Sequence, residues 1–177
     1  MRFNWRIKKF GKTLFFMYSD TQTCEGIGSL VLDSNNLHYP FFDIEKCGLN
    51  EAKSGLVKIQ VSYGLPDIAI TSDKERSFHG LCFAQVKWTD YLRMQLDLLD
   101  MGLLDYNFFY WTVFKNMGTI RTGFKQNRSA LKIVDFLYSY PVPYPARIRR
   151  VIYDTGLQKR GLTVFLGKHG KIIWGND

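Results

Sequence analysis

Cysteine is scarce in this chain. The 177 residues hold three, Cys24, Cys47 and Cys82, and none are spaced C-x-x-C. An odd number without pairing motifs argues against a closed disulfide framework and leaves a reduced, cytoplasmic setting as the default expectation. Histidine is equally rare: His38, His79 and His169 stand far apart, so no zinc signature is present. Long apolar runs are missing too. Leu14-Phe15-Phe16-Met17-Tyr18, after the basic Arg2, Arg6, Lys8, Lys9 and Lys12, is too short for a signal-peptide core or a membrane span. Repeats and low-complexity segments are absent.

Acid is the remaining shortage. Sixteen Asp and Glu face 24 Lys and Arg, a formal charge of +8. That balance favours a polyanionic partner through counterion release from phosphates, and an anionic membrane surface would satisfy it too. Hydrophobic residues make up 46% and aromatics 16%, enough for one domain with a sizeable core.

Periodicity predicts an α+β (mixed α/β) chain. Strands are expected at 13–19, 29–33 and about 38–44, forming a meander, with a turn at Asp33-Ser34-Asn35-Asn36. A helix is expected over 51–63, capped by Asn50 and ended by Gly64. Strands follow at 67–72 and 77–83, joined by a solvated polar turn, 73–76, that holds Asp73 and Glu75. A second helix spans 89–101 with Thr89 as its cap. Then come a β-rich run from Phe108 to Phe114, a strand at 119–125 and a helix from Ser129 to about Leu137. Prolines 141, 143 and 145 keep 140–146 extended, and the basic tail, 147–177, is β-rich with strands at 147–153 and 161–174.

Four features carry chemistry. In Phe41-Phe42-Asp43-Ile44-Glu45, strand alternation puts Asp43 and Glu45 on one face and Phe42 and Ile44 on the other. Two carboxylates side by side repel, and a hard cation such as Mg²⁺ or Mn²⁺ relieves the repulsion. About one acidic-x-acidic pair is expected by chance in such a chain, but this one interrupts an apolar strand. In Ser77-Phe78-His79, Ser77 and His79 share a face, and the imidazole can donate to a phosphate oxygen. Asp105 follows a leucine-rich helix and is the candidate third carboxylate, with Asp97 and Asp100 as alternatives. In Thr119-Ile120-Arg121-Thr122-Gly123-Phe124-Lys125, Arg121, Gly123 and Lys125 share a face. Lys115, Arg121, Lys125, Arg128 and Lys132 are unopposed by acid, and Arg147, Arg149 and Arg150 form a second basic stretch. Both suit phosphate contacts.

An acidic-x-acidic strand, then Ser-x-His, then a lone Asp, then a basic Arg-containing strand resembles the archaeo-eukaryotic primase superfamily. The likeness, over roughly 30–138, is to its small primase-polymerase members, found often in plasmids and viruses. The resemblance implies an RRM-like catalytic unit packed against a second small α/β unit. It implies that Asp43, Glu45 and Asp105 hold Mg²⁺ or Mn²⁺, and that Ser77 and His79 contact the nucleotide. Arg121 and Lys125 would bind nucleotide phosphate or the nucleic-acid backbone. DNA template and primer, with nucleoside triphosphates, become the expected partners; a helicase or other replication protein is a further partner class, and no membrane is implied. No cysteine-based zinc stem is visible, so nucleotidyl transfer is better supported than primer initiation. Two other readings stay open: a non-catalytic single-strand-binding module on the same fold, and a metal-dependent nuclease.

Overall fold

Local alternation and helical spacing settle most of the architecture. The computed structural model describes residues 2–9, 12–19, 23–34, 36–122, 131–142, 146, 148–154, 164–166 and 172–174. The chain opens with an antiparallel hairpin of β1 (Arg2–Lys9) and β2 (Lys12–Ser19). Residues 2–9, where no strand was expected, are thus a strand. The alternation Phe3-Asn4-Trp5-Arg6-Ile7-Lys8 has the period of two that a strand requires. Next come β3 (Thr23–Gly28), the two-residue β4 (Leu37–His38) and β5 (Phe41–Glu45).

The expected meander does not form. Residues 29–33 are not a strand; Leu30 makes a single bridge to His38, and the following turn sets Asp33 at φ 65°. The Ser34 hydroxyl closes that turn by accepting from the amides of Asn36 and Leu37. Asn and Asp side chains tolerate this geometry, which is why the turn itself was legible.

After β5, α1 (Leu49–Tyr63) leads to β6 (Ile68–Lys74), β7 (Ser77–Cys82) and the short β8 (Val86–Lys87), which pairs with β4. Helix α1 is flanked by Gly48 rather than capped by Asn50, and it ends at Gly64 in the left-handed conformation, φ 59°. Then come α2 (Trp88–Asp100), preceded by Lys87 with Thr89 already helical, and α3 (Tyr106–Lys115). Strands β9 (Thr119–Arg121), β10 (Lys132–Leu137), β11 (Arg149–Asp154), β12 (Val164–Leu166) and β13 (Ile172–Trp174) complete the described chain.

Two expectations are reversed here. Phe108 to Phe114 is helix, not strand. Its aromatics favour strands on propensity alone, but the Asp105 side chain accepts from the Phe108 amide and Asn116, left-handed at φ 51°, closes the far end. Caps at both ends outweigh a weak preference. Residues 132–137, expected as helix, form β10, because Ile133, Val134 and Phe136 suit a strand and β6 offers an open edge. Lys53 on α1 donates to Asp135 at 2.6 Å and holds that carboxyl below its usual range.

The central sheet runs β10-β6-β7-β5, with every neighbouring pair antiparallel. Leu104 extends it with an antiparallel bridge to Ile44. The order β5-α1-β6-β7-α2-Leu104 is therefore βαββαβ, the arrangement of an RRM-like unit. Helices α1 and α2 cover one face, where Phe42, Ile44, Ile68, Ile70 and Phe78 meet Leu56, Ile59, Tyr91, Met94 and Leu98. Gly80 lets α1 approach: a Cβ there would lie 2.9 Å from a Leu56 methyl.

A second sheet, β13-β12-β11-β3-β9, is also antiparallel, with Cys24, Met117 and Val151 as its small core. Where a second α/β unit was expected, the described residues form this sheet. Among the described residues no helix is long and apolar enough to cross a membrane.

Candidate functional site

The face of the central sheet opposite the helices carries the polar residues. Phe42 and Ile44 are fully buried beneath the helices, so strand alternation sends the half-buried Asp43 and Glu45 to the opposite side. Register then decides their neighbours. Asp43 lies opposite His79 and Glu45 opposite Ser77. His79 Nε2 is 3.4 Å from Asp43 Oδ1, with the two side chains 10% and 23% exposed. One strand further on, Thr71 pairs with His79. Lys74 Nζ lies 3.6 Å from Glu45 Oε1 at a more open position, where an ion pair contributes little.

Asp105 approaches from the other side. Its amide donates to the Asp43 carbonyl at 2.9 Å, and the Glu45 amide donates to Leu103 at 3.2 Å. The Ile44–Leu104 bridge thus sets Asp105 opposite Asp43, so Asp105, Asp43, His79 and Thr71 follow one another across the sheet. The Asp105 side chain gives one oxygen to the cap of α3. Asp97, the alternative third acid, accepts from Tyr63 in the helical layer, away from this face. Asp100 is exposed at the end of α2.

Asp73 belongs to the site region, although the sequence placed it in a solvated turn. Strand β6 runs on to Lys74, and its register against β7 shifts by one residue between Ser72 and Lys74. The Ser72 hydroxyl ties this bulge, lying 2.6 and 2.8 Å from the carbonyls of Lys74 and Ser77, either of which can accept its one proton. A bulge re-aims a side chain. Here the Asp73 carboxylate is fully buried and paired with the Arg121 guanidinium, itself 7% exposed. Arg121, expected on phosphate, therefore joins β9 of the second sheet to β6 of the first.

The remaining basic residues are dispersed. Lys115 ends α3, and burial pushes its ammonium down to about 8. Lys132 is exposed on β10, opposite Ser72. Arg149 and Arg150 begin β11, half-buried and exposed, and pair with Gly28 and Ile27. Lys125, Arg128 and Arg147 lie outside the described residues.

A second polar cluster was not foreseen. His38 is buried, with Nδ1 3.1 Å from the Ser29 hydroxyl and its ring 4.6 Å from that of Trp88. Burial pushes its imidazole down to about 4.

Among the described residues, no three His, Cys, Asp or Glu side chains are grouped closely enough to hold a metal ion by themselves. The donor chemistry still fits Mg²⁺ or Mn²⁺. Asp43 and Glu45 share a sheet face, and Mg²⁺ commonly takes only one or two carboxylates, with water and substrate phosphates completing its shell. No family model, curated protein or solved structure matches the chain.

Proposed function

We propose that the chain is a metal-dependent nucleotidyltransferase that extends nucleic acid on a template. One observation carries this reading: the register that sets Asp43 opposite His79 and Glu45 opposite Ser77, with Asp105 at the next position across the sheet. The acidic pair and the Ser-x-His motif are thereby neighbours on one face of a βαββαβ sheet, as the primase-polymerase resemblance implies.

The reaction is attack of a 3′-hydroxyl on the α-phosphate of a nucleoside triphosphate, with pyrophosphate leaving. A divalent ion, when bound, supplies positive charge at the attacking and leaving oxygens. Asp43 and Glu45 would hold that ion, and Asp105, opposite Asp43 across the sheet, would be the third acid. His79, oriented by Asp43, donates to a phosphate oxygen, and Ser77 supports it from the same strand. The Asp73–Arg121 pair steadies the sheet behind them. Much of the acceleration comes from positioning and from charge aimed at the reacting phosphate.

The test is a labelled primer–template incubated with nucleotides and Mn²⁺. Wild type lengthens the primer, EDTA stops the reaction, and Asp43→Asn or Glu45→Gln loses about 100-fold or more of the rate. Primer shortening instead of lengthening would assign the site to hydrolysis. Binding without either change would leave a non-catalytic module.

A further inference from the structure

Helix α3 carries more aromatic surface than its packing uses. Phe108 and Thr112 are its buried residues, and Phe109 packs in part against the core. On the other side Tyr106, Tyr110 and Phe114 recur every four residues and are 64%, 50% and 56% exposed. The rings of Tyr110 and Phe114 are nearly parallel, at 9°, with centroids 6.4 Å apart. Trp111 stands edge-on to both, at 5.3 and 5.5 Å. Packing within α3 thus pre-orders three rings at the surface.

Charge identifies what these rings face. The chain carries a formal charge of +8, and although Arg121 is held by Asp73 and Lys115 is half-buried, Lys132 on β10 and Arg150 on β11 are exposed. A second copy would bring its own +8 to the contact. A polyanion with flat apolar groups meets both the charge and the rings, and unpaired nucleobases on a phosphate backbone have that chemistry. Position adds a second argument. Asp105 caps α3 and donates its amide to Asp43, so the helix begins at the candidate active site.

We propose that Tyr106, Tyr110, Trp111 and Phe114 form a stacking platform for the unpaired bases of single-stranded nucleic acid. That the bound strand is the template rests on the nucleotidyl-transfer reading; the stacking does not.

Fluorescence anisotropy in EDTA tests the platform with two probes: an oligothymidylate of about 15 nucleotides and an abasic strand of the same length. Wild type binds the oligothymidylate more tightly than the abasic strand. Tyr110→Ala with Phe114→Ala weakens oligothymidylate binding by about 5-fold or more per residue and leaves abasic binding unchanged. Tyr110→Trp with Phe114→Trp retains affinity, and circular dichroism checks that each variant is folded. Equal affinity of wild type for the two strands, or full affinity in the folded double-alanine variant, overturns the proposal. So does sedimentation showing a wild-type dimer that the double variant dissolves while its oligothymidylate affinity stays the same. A wild type that stacks bases yet extends no primer removes the transferase reading and leaves the platform. Extension by wild type with no stacking does the reverse.

Discussion

His79 Nε2 faces Asp43 Oδ1 at 3.4 Å across the pairing of β7 with β5, on the sheet face opposite the helices. Both side chains are largely shielded, so the attraction is less screened than at an open surface. The carboxylate oxygen lies beside the ring's Nε2 nitrogen, on the same sheet face.

His79→Ala is expected to impair nucleotide use more than folding. Incorporation kinetics should show a raised KM for the triphosphate, with only a modest drop in melting temperature. Phe78, its neighbour on the opposite face, is 5% exposed in the core. Phe78→Ala should destabilise by about 3–5 kcal/mol. If His79→Ala unfolds the protein as thoroughly, the histidine is structural.

The Asp73–Arg121 pair should behave as a buried ion pair. Arg121→Met alone leaves a buried carboxylate without its guanidinium partner and should cost about 3–5 kcal/mol. Asp73→Leu together with Arg121→Met should recover much of that loss, as measured by denaturant unfolding. An Arg121→Met variant with wild-type stability but weakened nucleotide binding would return Arg121 to the phosphate role.

Metal should stabilise the native state through Asp43 and Glu45. At saturating Mg²⁺ or Mn²⁺, about 100 times the dissociation constant, the melting temperature should rise by roughly 5 °C or more, and EDTA should reverse the rise. Asp43→Asn and Glu45→Gln should blunt the shift, whereas Asp97→Asn and Asp100→Asn should not. A shift that survives both site variants would place the metal elsewhere.

His38 gives stability a definite pH dependence. Its imidazole is pushed down to about 4 in the folded chain, from an ordinary value of 6.5. The unfolded chain therefore takes up a proton first as pH falls. The contribution is complete above the unfolded value and declines between pH 6.5 and 4, by about 3 kcal/mol at the lower end. His38→Gln should flatten that part of the stability profile relative to wild type.

What could be read from the sequence depended on how local its cause was. The Asp43–Glu45 alternation, the Asp33 turn and the Gly64 helix end each follow from a few adjacent residues, and each was legible. Helix α3 was not, because the strand preference of Phe108-Phe109-Tyr110-Trp111 hid the caps at Asp105 and Asn116. The buried state of Asp73 depends on a bulge and on an arginine 48 positions away, and no local pattern encodes that meeting. The pairing of Asp43 with His79 also needed the register between two separate strands, which only the fold supplies.

Gly80 sits one residue beyond His79 and faces the other way, with a Leu56 methyl 2.9 Å from where its Cβ would be. The thickness of the helical layer and the shape of the polar face are consequently coupled through one pleat. A methyl group at position 80 would press on α1 from beneath, and the strand carrying His79 would take up part of the displacement. The geometry of the polar face can therefore be tuned from the dry side of the sheet, by residues that do not lie on it.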